Sequence, residues 1–247
     1  MTEKWIKNFK SSLKSERLEN LILSVSVGYS VKTQEDQTME EIFKHAEDDM
    51  YRHKLSESLS MRSRTIELIM NSLYEKNVRE MQHSKRVSDL CKVIAQELGF
   101  EKDDVNELKI AGLMHDIGKI GIDERILNNP RKLTTLEKIE VERHCEIGYR
   151  ILGSVSDFSK ISTFVLEHHE RWDGTGYPKG LKGEQITLQA RIISVADSFD
   201  AMTSDRPYRA ALTETEAVEE FRRCAGKQFD PEIVKIFIEK VLKKSLD

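Results

Sequence analysis

Five of the seven histidines lie beyond residue 80, beside carboxylates that together make a donor set for metal ions. His115 and Asp116 stand at the end of an apolar run, IAGLMHDIGK. His168 and His169 close another, ISTFVLEHH, and are followed by Glu170 and Asp173. His83 and His144 are single, each within a helical pattern. Asp197 lies in IISVADSFDAM, among Ile192, Ile193, Val195, Ala196 and Phe199. A carboxylate on so apolar a helix is costly unless a cation or strong donors meet it. A metal ion is a natural partner. Taken singly, His83 or His144 reads as an ordinary core or surface histidine, and one His-Asp pair arises often by chance. The whole set in this order does not.

Imidazole and carboxylate donors without thiolate suit iron, manganese or other octahedral ions better than a closed tetrahedral zinc site. So many donors also exceed what one ion needs. Two ions ~3.5–4 Å apart, bridged by a carboxylate and a hydroxide, use them economically. Such a pair activates water and clamps a phosphoryl oxygen. The expected chemistry is phosphoester hydrolysis.

The elements that must position these residues are helical. Leu59, Ile66, Ile69, Met70 and Leu73 form an apolar face that runs on through Val87, Leu90, Ile94 and Leu98, and Gly99 ends it. Further helices are predicted over 103–117, 135–152, 157–169, 189–204, 214–225 and 231–243. Thr134 with Glu137, Thr213 with Glu216, and Asp230 before Pro231 supply start signals. Between the last two histidines and Asp197 lies the glycine-rich stretch RWDGTGYPKGLKGEQIT, a loop where function is expected. Near the start, Trp5, Ile6, Phe9 and Leu13 have helical spacing. Leu21 to Val31, LILSVSVGYSV, is rich in β-branched residues and predicts a strand. Thr38 and Glu41 open a helix through Ile42, Ala46 and Met50.

Composition narrows the class. With 38% hydrophobic and 33% charged residues among 247, a sizeable core sits within a well-solvated shell. Four prolines and 12 glycines favour long helices over loops or disorder. A formal net charge of -4 excludes a general DNA or RNA binder held by a basic field. An anionic substrate must therefore be gripped locally, by ions or a few cations. Cys91, Cys145 and Cys224 have no CxxC spacing, which argues against a disulfide framework and for a reducing compartment. No stretch approaches the ~20 apolar residues of a membrane span. A cytoplasmic protein is expected.

The segments HSKRV, HDIGKIGI, ERHCEIGYRIL, HHERWDGTGYPKGLKGEQI, ISVADSFDAMTSDRPYR and AGKQFDP resemble, in order, the motifs of HD-GYP phosphodiesterases. The likeness covers about residues 75 to 243. It implies a mainly all-α fold of the HD superfamily and hydrolysis of cyclic di-GMP to linear pGpG and onward to GMP. Position by position, His83, His115, Asp116, His144, His168, His169 and Asp197 match the metal ligands, with Asp116 as the bridge. Lys119 matches the phosphate-contacting lysine. Tyr177, Arg206 and Arg209 match substrate contacts. Relatives with a third ion place a Glu four residues before the first His, where this chain has Arg79, with Glu80 one residue later. Two ions, iron or manganese, are therefore expected, and a third is left open. The proton donor to the leaving oxygen is unassigned, with bound water and Asp173 as candidates.

SVSVGYS and AEDDMYRHK are similar to the closing half of a GGDEF domain, although its nucleotide-binding loop is missing from the sequence. The resulting division is a partial GGDEF-like segment over 1–54, a connecting helix over 55–82 and the phosphodiesterase domain over 75–247. A lone strand and an apolar connecting helix predict a homodimer. Two rival readings keep the helical domain. One is the same chemistry on another cyclic dinucleotide, and the other is a metal-containing module that docks GGDEF-domain proteins without turnover.

Overall fold

A computed structural model describes residues 17–18, 21–22, 27–33, 37–50, 70, 78–127, 129, 131–205 and 210–245. The chain forms two compact units, Met1–Arg64 and Thr65–Asp247. The proposed boundary near residue 55 lies outside the described residues, as do the N-terminal Trp5–Leu13 pattern and, apart from buried Met70, the start of the long apolar face.

In the first unit, β1 (Arg17–Leu18) pairs antiparallel with β2 (Leu21–Ile22). Helix α1 spans 39–50. Its expected capping box is formed, with the Thr38 amide donating to Glu41 at 2.9 Å and the Glu41 amide to Thr38 Oγ1 at 3.2 Å. The strand expected over Leu21 to Val31 is a correction. Among its described residues Leu21–Ile22 is strand, and 27–31 has no regular structure. A Cβ on Gly28 would overlap backbone atoms of Ala46 and Met50, so this stretch lies directly on α1. The Tyr29 amide donates to the Asp49 carboxylate at 3.3 Å rather than to a strand.

The second unit is helical. Helix α2 (Val78–Glu97) ends in a Schellman motif: Gly99 has φ +77°, its amide donates to Gln96 O, and the Phe100 amide donates to Ala95 O. Helix α3 (Lys102–Met114) stops three residues short of the expected end. The chain then passes His115 and Asp116 into a 3₁₀ turn, Ile117–Gly121. The helix expected over 135–152 is two helices, α4 (Thr135–Glu142) and α5 (His144–Gly153), broken at Arg143. Helix α6 (Ser159–Glu167) ends just before the two adjacent histidines. Helices α7 (Leu188–Thr203), α8 (Glu214–Cys224) and α9 (Pro231–Ile236, continued by a π turn, Phe237–Val241) complete the unit.

The apolar stripes of α2, α3, α6 and α7 meet in one core around Ile94, Leu108, Val165 and Ile192, all with no or almost no exposure. Phe221 of α8 and Phe237 are fully buried and pack with Phe199 and Phe229 to close its far side. The 3₁₀ turn lies hard against α5. A Cβ on Gly118 would overlap His144 O and Gly148 N, so only glycine permits the approach that sets His144 beside Asp116.

Candidate metal centre

Five elements deliver the expected ligands to one place. His83 comes from α2, His115 and Asp116 from the end of α3, and His144 from the first turn of α5. His168 and His169 follow α6, and Asp197 comes from α7. His83 Nε2 lies 3.2 Å from Asp197 Oδ1, and His115 Nε2 lies 3.2 Å from Asp116 Oδ2. The other oxygen of Asp116, Oδ1, is 3.4 Å from His144 Nε2. The His168 and His169 rings lie 4.0 Å apart. Donor atoms fall into overlapping groups within 4.8 Å: His83, His115 and Asp197; His115, Asp116 and His168; and His144, Cys145, His168 and His169.

The breaks in the helices explain how the rings are aimed. The last carbonyls of a helix have no amide partner. His115, His144 and His168 each donate Nδ1–H to the carbonyl three residues back: Gly112 at 2.8 Å, Val141 at 2.7 Å and Val165 at 2.6 Å. A carbonyl only accepts, so each Nδ1 carries the hydrogen and Nε2 turns inward. Burial lowers the pKa of His144 and, with His169 beside it, that of His168 well below the usual range, so both rings are neutral. Their Nε2 lone pairs then face each other at 3.4 Å. His115 Nε2 is fully buried without a hydrogen-bond partner. Converging lone pairs and an orphaned ring nitrogen are what a cation would satisfy. The donor set fits a metal.

The carboxylates are kept ionised. Burial alone would raise Asp116, but Lys119 and His115 hold it well below the usual range. Asp197 is likewise lowered against burial, chiefly by His83. Lys119 Nζ sits 2.6 Å from Asp116 Oδ2 and 3.0 Å from Glu80 Oε2, its side chain 20% exposed at the rim. Glu80, the residue nearest to the third-ion position, thus pairs with Lys119.

A cleft of about 410 Å³ opens beside this cluster. His169, Tyr177, Asp197, Arg171, Lys138 and Gln228 are among its lining. Tyr177 packs its ring 5.0 Å from that of His169. Arg206 and Arg209, the other expected substrate contacts, lie outside the described residues. Asp173 accepts from Arg171, from the Thr175 amide at 3.0 Å and from Thr175 Oγ1 at 2.6 Å, which lower its pKa. An acceptor so engaged ties Arg171 and Thr175 together within the loop.

Sequence reasoning placed Glu170 beside the two histidines but not what it holds, and it missed Glu167, Arg86 and Asp200. Buried Glu170 accepts the Lys179 amide at 2.6 Å and the Leu181 amide at 3.0 Å, and buried Glu167 accepts the Thr187 amide at 3.0 Å. These carboxylates pin the glycine-rich loop, whose Trp172 and Asp173 amides also donate to Gln228 O and Lys227 O. Asp200, one turn beyond Asp197, binds His83 and Arg86. Its helical spacing from Asp197 was the available signal. Cys145 Sγ lies 3.5 Å from His144 Nε2. Burial, with Asp116 and Glu170 nearby, raises its pKa, so the sulfur is a neutral neighbour of the rings.

A family model described as an HD domain matches residues 67–233. A cyclic di-GMP phosphodiesterase of Thermotoga maritima is 43% identical over 174 residues, which cover 69% of this chain and 47% of that protein. The 3'3'-cGAMP-specific phosphodiesterase 3 of Vibrio cholerae is 40% identical over 150 residues, 61% of this chain and 33% of that protein. The chain thus spans less than half the length of these curated relatives. Among solved structures, Bd1817, described as a HDG"Y"P protein from Bdellovibrio bacteriovorus, aligns over 98% of this chain and 79% of its own, with a TM-score of 0.56 at 17% identity. That likeness is one of fold.

Proposed function

The chain belongs to the HD domain family, and from that premise we propose that it is a metal-dependent phosphodiesterase that hydrolyses cyclic di-GMP to linear pGpG, to GMP, or to both. The observation that carries this reading is the convergence of the neutral, backbone-oriented imidazoles of His144 and His168, the other histidines and two ionised carboxylates on one centre beside a cleft. The names of relatives at 43% and 40% identity support a cyclic dinucleotide as substrate.

In this reading His83, His115, His144, His168, His169, Asp116 and Asp197 would hold two divalent ions, iron or manganese. When bound, such a pair supplies an activated water and neutralises charge on the phosphoryl group. Asp116 is suited to bridge, because its two oxygens face different imidazoles. Lys119 holds its ammonium against Asp116 at the rim, where it meets a phosphate oxygen and offsets the gathering negative charge. Tyr177, Arg206 and Arg209 contact the substrate. The Glu80–Lys119 pair favours two ions over three.

The relative named for 3'3'-cGAMP favours a second reading, the same chemistry on a mixed cyclic dinucleotide. Residues 1–54 as a GGDEF-like remnant, 55–82 as a connecting helix, a homodimer through that region, docking to GGDEF-domain proteins and a cytoplasmic location complete the reading. Among the described residues no helix is long and apolar enough to cross a membrane. The β1–β2 pairing removes the lone-strand argument for the dimer and leaves the apolar connecting helix to support it. Side-by-side turnover of cyclic di-GMP and 3'3'-cGAMP by the ion-loaded chain tests the substrate. Faster turnover of 3'3'-cGAMP would replace the first reading by the second.

A further inference from the structure

His83 differs from the other oriented imidazoles of the centre. His115, His144 and His168 give Nδ1–H to backbone carbonyls, whereas His83 Nδ1 meets the carboxylate of Asp200 at 2.7 Å. Asp200 is 4% exposed. Arg86 grips both of its oxygens, with Nε on Oδ1 and Nη2 on Oδ2, and reaches Ser204 Oγ at 3.1 Å. His83 and Arg86 are three apart on α2, and Asp197 and Asp200 are three apart on α7. Each pair therefore lies on one helical face. One helix thus offers the ring and its clamp, and the other offers a carboxylate to each side of that ring.

We propose that Asp200, restrained by Arg86, is the positioning residue for His83: it fixes Nδ1–H, turns Nε2 towards the ion shared with Asp197, and sets how tightly that end of the centre holds its ion. A carboxylate on the far nitrogen makes an imidazole a stronger donor than a carbonyl does. The clamp has a second effect. With both oxygens held, Asp200 stays one layer back and does not swing in to compete with Asp197. The bland alternative is a staple between α2 and α7 that stabilises the fold and nothing else.

The proposal rests on the two-ion reading, and the experiment separates the two. The full chain is loaded with Co²⁺, and release to a chromophoric chelator is followed for the unaltered protein, Asp200→Asn, Arg86→Gln, His83→Gln and His83→Gln with Asp200→Asn. The number of ions on the unaltered chain tests the two-ion reading. The rates test Asp200 even if that number is one. Asp200→Asn should release one ion about 10–100-fold faster while the other keeps its rate. Arg86→Gln, which leaves the carboxylate in place and carries the test if Asp200→Asn does not fold, should accelerate the same ion to a lesser degree. In the His83→Gln background, Asp200→Asn should add less than a twofold change. A staple would lower the thermal midpoint of the chelated protein in every background without separating the ions. Unchanged release, equal acceleration of both ions, or a full Asp200→Asn effect without His83 would overturn the proposal.

Discussion

The Nε2 atoms of His144 and His168 face each other across 3.4 Å, each ring having given its Nδ1–H to the backbone carbonyl three residues before it. Two neutral lone pairs at that distance repel. An ion held by both rings would offset the cost of that repulsion. Chelation should therefore lower stability, by about 4 kcal/mol where the ion had stood at 1,000 times its dissociation constant. For a chain of this size each kcal/mol moves the midpoint by about 2–4 °C. Calorimetric melts with and without chelator, then with Mn²⁺ restored, measure it; an unchanged midpoint would mean that no ion holds these rings.

Asp116→Ala removes the one carboxylate that faces His115, His144 and Lys119 together. Bound metal should fall, and cyclic di-GMP turnover should drop by at least a thousandfold, about 4 kcal/mol of barrier. Lys119→Ala should instead keep the metal and lose turnover. Metal analysis of both variants separates the roles, and full metal with full turnover in Asp116→Ala would refute the bridge.

Ion binding should release protons. Burial opposes the charge of His83, but hydrogen bonds to Asp197 and Asp200 raise its pKa to about 10, above its ordinary 6.5. The stability this ring lends the chelated fold is thus present below about pH 6.5 and lost as pH rises through about 10. An entering ion must displace the Nε2 proton at neutral pH. Calorimetry of Mn²⁺ binding at pH 8 in buffers of different ionisation enthalpy should show release of at least one proton. Release of none would place the ring outside the coordination shell.

Glu170→Ala strips the Lys179 and Leu181 amides of their shared acceptor. Leaving them unpaired should cost roughly 2–4 kcal/mol. The loop carrying Tyr177 should become the first site of proteolysis, and KM should rise while metal content stays. Loss of metal would tie the loop to ligand geometry rather than to the substrate.

Gly118→Ala puts a Cβ into His144 O and Gly148 N, both backbone atoms that cannot step aside. About 3 kcal/mol of destabilisation is expected, with loss of metal because the 3₁₀ turn and α5 are pushed apart. Urea titration and metal analysis check both.

Five of the seven proposed ligands were legible in short local patterns, His115-Asp116, His168-His169 and Asp197 on an apolar helix, whereas His83 and His144, single on their helices, were reached only through the set as a whole. Asp200 and Arg86 were not, because they meet 114 positions apart and look like surface charges on their own helices. The break at Arg143 was hidden by unbroken apolar spacing through 135–152, yet it frees the Val141 carbonyl that orients His144. Capping boxes at Thr38, Thr134 and Thr213 were readable because both partners sit within one turn. The strand expected over Leu21 to Val31 is present at Leu21–Ile22 but not over 27–31, because β-branched side chains do not say what the backbone amides will pair with. Gly28 and Tyr29 take α1 instead.

The most direct measurement is hydrolysis of cyclic di-GMP by the full chain purified without oxygen, with bound metal counted on the same sample. Two ions per chain and conversion to pGpG or GMP, abolished by chelator and restored by Fe²⁺ or Mn²⁺, are the predicted result. Fully loaded protein that leaves cyclic di-GMP intact, or turnover that persists after the metal is stripped, would contradict it.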